Sequence, residues 1–403
     1  MTGNLYMNSP GRFQSDANGR PPILETKGTL ERNIGTGAGK IRFALAVSEK
    51  SSVCFAAYGG PLSVQLNTGA PITLDWSNTS TGLNNMWLKF GSANADNVVT
   101  FKNGLNMSTA DREIEVVDNT GSPNDSAVIE GGIRNDATAR KLTKSGNGTL
   151  TLKGINTYTG STTVSSGTLI LDVGAQLKFV IPASSGGARI ITGAGTVVLN
   201  GDFYIDTALT DANAGLTTGT WQLENVPTLN TAYGTTFRVV DASSNPWGNT
   251  GDQWTKIVGS KLYTFDETNG TLALSEAPTT GYAVWANANG VSLIPSEDSN
   301  NDGVANGVAY FMNVTGLTTN PAINGTTKQV TWPNGGKILS GQYGIEFVVQ
   351  TSSDLQTWTD VLDTDTSLIN TDYSAGPPAV DGSLSYTLTG ASPRFVRLKV
   401  TPN

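Results

Sequence analysis

The sequence predicts an all-β protein in which a β-solenoid is followed by a small C-terminal β-sandwich. Three observations indicate this fold class. Glycine makes up 47 of the 403 residues, and glycine supplies the positive φ angles that tight turns need. Only 14% of the residues are charged, against about 25% in typical globular proteins. A short strand motif recurs along the chain, with apolar and polar residues alternating at the two-residue period of a β-strand.

The recurring motif is Gly-Thr followed by an apolar residue, any residue and a second apolar residue. Its copies begin at Gly148, Gly167, Gly195 and Gly270. A repeat of about 20 residues, with short strands between glycine turns, is typical of one rung of a β-solenoid. In the first copy, Leu150 and Leu152 are expected to point inward, and Thr149 and Thr151 outward. One rung cannot bury its inward residues alone, but stacked rungs can.

Residues 142–171 read LTKSGNGTLTLKGINTYTGSTTVSSGTLIL. This stretch resembles the passenger-associated transport repeat, also called the autotransporter-associated β-strand repeat. The resemblance is carried by Gly148, Thr149, Leu150, Leu152, Asn156, Tyr158, Gly160, Gly167, Thr168, Leu169 and Leu171. It implies a right-handed, β-helix-like solenoid that is secreted across the outer membrane of a Gram-negative bacterium and lies outside the cell or on its surface. The repeat motif contains no catalytic residues.

The composition along the chain divides it into four regions. Residues 1–39 are polar and match no repeat, so they are expected to form a cap, a disordered tail or a strand donated to a neighbour. Residues 40–278 form the predicted solenoid, with a turn-rich insertion at about 206–262. Residues 279–316 are predicted to be a linker, and residues 317–403 the sandwich. The stretches 352–358 (SSDLQTW) and 395–400 (FVRLKV) resemble the C-terminal module that closes such exported proteins.

Several residue types that carry chemistry are rare or absent. The sequence contains no histidine, which excludes Ser-His-Asp, Cys-His and His-zinc sites. Its single cysteine, Cys54, stands in an apolar run and is expected to be a small core residue. The net charge of -8, with scattered basic residues, argues against nucleic-acid binding. No apolar stretch approaches the length that a transmembrane helix needs.

One stretch has the spacing of oxygen ligands in an EF-hand-like calcium loop. The predicted ligands are Asp298, Asn300, Asp302, the Val304 carbonyl and Asn306. Ala309 stands at position twelve, where such loops carry a bidentate glutamate, so any Ca²⁺ site is degenerate. The alternative is a calcium-free turn that leads into a short helix at about 304–312. This is the one helix that the sequence predicts.

Two further groups of residues suggest binding or catalysis. Trp247 and Trp254 lie in the turn-rich insertion, where exposed indoles could stack on a polysaccharide; the alternative is that they fill the core. Glu113 and Glu115 share one strand face and are expected to point into solvent, with Ile114 and Val116 inward. Polysaccharide lyases also use β-solenoids with acidic sites, so a lyase-type activity remains an alternative by analogy of fold.

The sequence therefore favours a non-enzymatic, extracellular structural protein: a stalk, fibre or matrix subunit. The open ends of a solenoid expose unpaired backbone groups, and rungs with few charged residues are poorly protected against pairing with another chain. Head-to-tail self-association into a homopolymer is the leading hypothesis. A carbohydrate-binding adhesin is the second hypothesis, and a lyase-type enzyme the third.

Overall fold

The computed structural model describes residues 11–13, 23–35, 39–43, 52–227, 229, 232–277, 281–333, 345–362, 364–371, 382–389 and 395–402. The chain divides into two compact units. The first unit comprises Met1–Trp247, Asp252–Trp254 and Thr264–Leu274. The second comprises Gly248–Gly251, Thr255–Tyr263 and Ser275–Asn403.

The first unit is built from parallel strands, numbered in chain order, that stack in three ladders. The first ladder contains β4 (Ser52–Gln65), β6 (Trp87–Phe90), β9 (Arg112–Val116), β12 (Leu142–Ser145), β15 (Thr162–Val164), β18 (Ile191–Thr192) and β22 (Glu224–Asn225). The second contains the far half of β4, then β7 (Val98–Phe101), β10 (Ser126–Ile129), β13 (Thr149–Leu152), β16 (Thr168–Leu171) and β19 (Thr196–Leu199). The third runs in two sections, β5 (Thr73–Asp75), β8 (Gly104–Asn106) and β11 (Ile133–Arg134), then β14 (Ile155–Asn156), β17 (Gln176–Val180), β20 (Asp202–Asp206) and β23 (Arg238–Val240).

The recurring motif forms the second ladder in the register that the sequence predicts. Leu150 lies beside Leu169, which in turn lies beside Val197, and the outward threonines pair in the same way. The leucines are buried, whereas Thr149 and Thr168 are partly exposed. Equivalent contacts thus repeat from rung to rung, and the predicted β-solenoid is confirmed.

The rungs differ in length although their strands remain in register. In the first ladder, Leu142 pairs with Thr162, Thr162 with Ile191, and Ile191 with Glu224. Each of these successive steps spans more of the chain than the one before it. The additional residues leave the rungs as loops, one of which contains α1 (Ala208–Ala212). Ladder pairing therefore tolerates insertions that obscure the sequence period.

The fourth copy of the motif does not form a rung. It lies in β27 (Thr271–Glu276), which pairs antiparallel with β21 (Gly219–Gln222) and places Leu272 opposite Trp221. The prediction that Gly270 begins another rung is wrong. Alternation encodes a strand with one buried face, but the path of the chain decides the direction of pairing.

The N-terminal segment contributes a strand to its own chain. β2 (Ile23–Glu31) pairs in parallel with β4 along both halves of that strand, with a bulge between Thr26 and Gly28. β1 (Gly11–Phe13) pairs in parallel with β3 (Ile41–Phe43). Residues 1–10, 14–22 and 36–38 of the segment lie outside the described residues.

The second unit contains two antiparallel sheets. One holds β28 (Gln329–Pro333), β32 (Ser383–Thr387) and β31 (Leu368–Thr371), and the other β30 (Thr359–Asp360), β29 (Ile345–Ser352) and β33 (Phe395–Pro402). Both sheets contribute to one core that includes Trp332, Phe347, Leu384 and Val400. This arrangement confirms the predicted C-terminal β-sandwich. The insertion forms β24 (Gly248–Thr250), β25 (Gln253–Val258) and β26 (Lys261–Asp266), of which β24 and parts of the other two strands belong to the second unit.

Two helices belong to this second core. α2 (Tyr282–Ala288) and α3 (Asn306–Phe311) bury Tyr282 and Phe311 among the apolar residues of the sheets. α3 falls where the sequence predicts a helix, but α1 and α2 show that the prediction of a single helix is wrong. The described residues of the predicted linker, 281–316, belong to the second unit. Among the described residues, no helix has the length and apolar character needed to cross a bilayer.

Candidate functional site

The repeat at 142–171 is held by a buried lysine at a turn. Lys144 points inward from β12 and is fully buried, and its Nζ donates hydrogen bonds to the carbonyls of Ser145 (2.9 Å), Gly146 (2.6 Å) and Ser166 (3.1 Å). Burial lowers the pKa of Lys144 to about 8, so at neutral pH the ammonium group still carries its charge. The side chain therefore joins the turn of one rung to the turn of the next.

Two polar side chains of the repeat form hydrogen bonds inside the solenoid. Asn156 accepts a hydrogen bond from the Ile133 N–H (3.0 Å) and donates to the carbonyls of Gly154 (2.8 Å) and Gln176 (3.0 Å). The buried Tyr158 hydroxyl lies 2.6 Å from Thr162 Oγ1. Asn156 thus pairs backbone groups that the short third-ladder strands leave without partners. These contacts give both residues a structural role.

Two glycines of the repeat occupy places where a side chain would not fit. A Cβ on Gly160 would lie 2.2 Å from the Arg140 carbonyl oxygen. Gly167 has a φ of 65°. A Cβ at this position would lie 2.5 Å from each of two carbonyl oxygens of the preceding rung. Close stacking of turns therefore requires glycine at both positions.

The single cysteine is part of the core. Cys54 is buried, and its Sγ donates to the Gly91 carbonyl over 3.1 Å. Burial raises the pKa of the thiol to about 12. The prediction that Cys54 is a small core residue is therefore confirmed.

The outward carboxylates of the first ladder are engaged with neighbouring side chains. Glu113 Oε1 accepts a hydrogen bond from Ser145 Oγ at 2.5 Å, and Glu115 forms an ion pair with Lys89. Ile114 between them is buried, as the alternation predicts. The two carboxylates therefore have separate partners on neighbouring rungs.

The loop predicted to bind calcium is organised by its own backbone. Asp298 accepts hydrogen bonds from the N–H groups of Asp302 (3.2 Å) and Gly303 (2.7 Å). Asp302 accepts hydrogen bonds from the N–H groups of Thr318 (2.7 Å) and Val304 (2.8 Å) and from Asn300 Nδ2 (3.0 Å). The hydrogen bond from Thr318 is the main cause that lowers the pKa of Asp302 below its usual range.

Three of the predicted ligands share one turn, and a fourth has hydrogen bonds elsewhere. Asp298, Asn300 and Asp302 lie in one hydrogen-bonded turn, but Asn306 is buried and exchanges hydrogen bonds with Ser299 through both its side-chain oxygen and its nitrogen. α3 begins after Ala305 without a side-chain cap. Within the described residues, no three His, Cys, Asp or Glu side chains are placed to hold a metal ion.

The two tryptophans proposed for sugar stacking are buried. Trp247 is 5% exposed and Trp254 is 7% exposed. Trp254 Nε1 donates to Glu267 Oε1 at 2.6 Å, and its ring packs edge-on against Phe237. The burial of both indoles favours the alternative that they fill the core over stacking of Trp247 and Trp254 on a polysaccharide.

One buried carboxyl group lacks a partner. Glu224 in β22 is completely buried, and neither of its oxygens has a hydrogen-bond partner among the described residues. The buried hydroxyl of the neighbouring Tyr233 is in the same condition. Burial raises the pKa of Glu224 to about 7. The nearby Tyr233 hydroxyl acts against this shift, although the two groups lack the geometry of a hydrogen bond, and the charge of Glu267 adds to it. Sequence reasoning missed this group because its burial depends on contacts that are distant along the chain.

Residues 142–171 match the family model named passenger-associated-transport-repeat. This match confirms the resemblance found in the sequence and corresponds to β12 through β16 of the solenoid. It indicates an exported, autotransporter passenger-type protein. No curated protein and no solved structure matches the chain.

We predict that Glu224→Gln raises the stability of the protein near pH 8 but has little effect near pH 5. The folded-state pKa of about 7 lies above the unfolded value, so the folded protein retains the proton as the pH rises. The parent protein therefore loses stability between about pH 4.5 and pH 7, by about 3 kcal/mol if this group acts alone. Urea unfolding followed by circular dichroism measures the difference.

The control variant is Glu276→Gln, at an exposed position of β27, which should retain the pH dependence of the parent protein. If Glu224→Gln unfolds at lower urea than the parent near pH 8, the carboxylate is stabilised in the fold and the assignment of Glu224 as an unpaired buried group is incorrect.

Proposed function

We propose that this protein is a structural subunit of an extracellular or surface assembly, a stalk, fibre or matrix element, that associates head-to-tail through the ends of its solenoid. The observation that supports this proposal is the edge of β2. Among the described strands, β2 pairs with β4 and with no other strand, so it is a terminal strand of its sheet. A terminal strand of this kind has a second row of backbone donors and acceptors that another chain can pair with.

The direction of the backbone groups of β2 follows from one hydrogen bond. Arg32 N–H donates to the Gln65 carbonyl over 3.0 Å, so Arg32 and Leu30 direct their backbone groups at β4. Successive residues of a strand direct these groups at opposite edges. The N–H and carbonyl of Glu31 therefore face away from β4, and none of the described strands pairs with that edge of β2.

The side chains of β2 differ from what the composition led us to expect. Glu25, Lys27 and Glu31 are exposed along this strand, so the argument that rung edges lack charged residues does not hold here. Such charges disfavour indiscriminate pairing. They favour a partner edge of complementary charge, which supports specific head-to-tail contacts over general aggregation.

We predict that Glu31→Pro abolishes filaments of the purified protein while the solenoid remains folded. Proline removes the outward-facing N–H without disturbing the hydrogen bonds between β2 and β4. Glu31→Ala is the matched control, because it removes the same carboxylate but keeps the N–H. Negative-stain electron microscopy reports assembly, and circular dichroism reports the fold.

Filaments from the parent and Glu31→Ala proteins, but not from Glu31→Pro, support pairing through this edge. Filaments from all three proteins contradict the role of β2, and dispersed particles from the parent protein contradict self-association. Deletion of residues 1–39 is a less specific test, since it also removes β2 and uncovers the edge of β4.

The proposed setting is outside the outer membrane of a Gram-negative bacterium, and the proposed role is not catalytic. The match to a transport-associated repeat supports export. The absence of histidine from the sequence and the separate engagement of Glu113 and Glu115 support a structural role. A lyase-type activity would produce unsaturated sugar ends from acidic polysaccharide, and their appearance would contradict this part of the proposal.

We also propose that the loop at Asp298, Asn300 and Asp302 binds calcium weakly. Carboxylate oxygens can bind a cation while they accept hydrogen bonds, since each has two lone pairs. Extracellular calcium modules bind with dissociation constants of about 10⁻⁴–10⁻³ M. Because Ala309 stands where such loops carry a glutamate, we expect a dissociation constant within this range or larger.

Millimolar calcium is expected to raise the unfolding temperature of the parent protein by a few degrees relative to a chelator, whereas magnesium should not. Asp298→Asn should remove this response, because it removes one of the two charges in the loop. Asp354→Asn is the control, since Asp354 forms a similar exposed turn in the same unit. Equal unfolding temperatures in calcium and in chelator would exclude the site.

A further inference from the structure

A groove in the first unit lies where three successive rungs of the first ladder meet. It has a volume of about 200 Å³ and is lined in part by Asn85, Trp87, Asp111, Arg112, Glu113 and Thr143. β6 pairs with β9 and β9 with β12, so Trp87, Glu113 and Thr143 stand side by side on the outward face. The groove is thus formed by the stacking of rungs and not by one loop.

A buried guanidinium group on the inward side of β9 also lines this groove. Arg112 is 7% exposed. Its Nη2 donates to Asn85 Oδ1 at 2.9 Å, its Nε donates to the Met107 carbonyl at 3.0 Å, and its Cζ lies 5.5 Å from the centre of the Trp76 ring. Burial lowers the pKa of Arg112 to about 10, so the group is a fixed cation at neutral pH.

Two carboxylates stand at the rim with their positions set by other hydrogen bonds. Asp111 Oδ1 accepts from the Lys141 N–H at 2.9 Å, and Glu113 Oε1 accepts from Ser145 Oγ at 2.5 Å. Each carboxylate retains a second oxygen as an acceptor. The half-buried indole of Trp87 provides an apolar wall, and the Thr143 hydroxyl can both donate and accept.

These features match a small neutral molecule rich in hydroxyl groups. Binding sites for drug-sized ligands have volumes of about 300–1,000 Å³, so this groove suits a single ring. Fixed carboxylates accept from hydroxyl groups, the guanidinium donates to them, and an aromatic wall covers the C–H face of a sugar ring. Two rim carboxylates oppose an anionic ligand, and the buried arginine opposes a cationic one.

We propose that this groove binds one neutral pyranose unit of a polysaccharide. The site is distinct from the strand edge proposed for assembly, so either proposal can fail without the other. Trp87 and its neighbours thus take the carbohydrate-binding role in place of the buried Trp247 and Trp254.

The test uses saturation-transfer NMR and calorimetry with the methyl glycosides of glucose, galactose and N-acetylglucosamine, and with methyl galacturonate as the anionic probe. The full chain carrying Glu31→Pro serves as the starting protein if filaments interfere. We expect at least one neutral glycoside to bind, with weaker binding of the galacturonate.

Three variants test the residues of the groove. Trp87→Leu removes the aromatic wall, and Thr143→Tyr fills the groove from the neighbouring strand; each should weaken binding at least tenfold. Thr163→Ala, the next outward position beside Thr143, is the control and should bind as the parent does. Circular dichroism confirms that each variant is folded, and Thr143→Tyr provides the test if Trp87→Leu does not fold.

Three results would overturn the proposal. These are the absence of binding by every neutral glycoside, tighter binding of methyl galacturonate than of the neutral probes, and binding by the parent that Thr143→Tyr leaves unchanged. A neutral glycoside that binds the parent and Thr163→Ala, but not Thr143→Tyr, supports it.

Discussion

The solenoid depends on contacts between equivalent inward residues of neighbouring rungs. Ala127, Leu150, Leu169 and Val197 form one such row in the second ladder, and each is buried. A single rung has one side chain at each inward position and cannot exclude water alone. Stability therefore comes from the interfaces between rungs, as expected for repeat proteins. The stacking also creates the inward and outward faces of the ladders, the groove around Arg112 and the edge of β2.

Polar groups inside such a stack must find partners within one or two rungs. Lys144 does so by donating to three carbonyls of two successive turns, and Asn156 by bonding to backbone atoms on both sides of its rung. Glu224, where the first ladder ends, has no such partner among the described residues. A buried polar group with partners specifies the register, whereas one without them lowers stability and makes it depend on pH.

The sequence predicts an element of the fold correctly where neighbouring residues determine it. The strands after Gly148, Gly167 and Gly195 were predictable, because alternation and glycine turns act within a few residues. The antiparallel strand after Gly270 was not, since alternation does not encode pairing direction.

The candidate sites depend on contacts that the sequence does not show. The groove around Arg112 was missed, and the burial of Trp247 and Trp254 was predicted only as one of two alternatives, because residues far apart along the chain create both. Asn85 and Thr143, for example, stand on different rungs and line the same groove only through the ladder register.

The central claim is that these parallel strands stack in register. The most direct measurement is the distance between spin labels at the outward positions Thr100 and Val198, which lie four ladder steps apart through Val128, Thr151 and Ile170. Replacing Cys54 by serine prevents labelling there. The stacking predicts a narrow distribution at about 19 Å, from about 4.8 Å for each step. A broad distribution, or one centred beyond about 30 Å, would contradict in-register stacking.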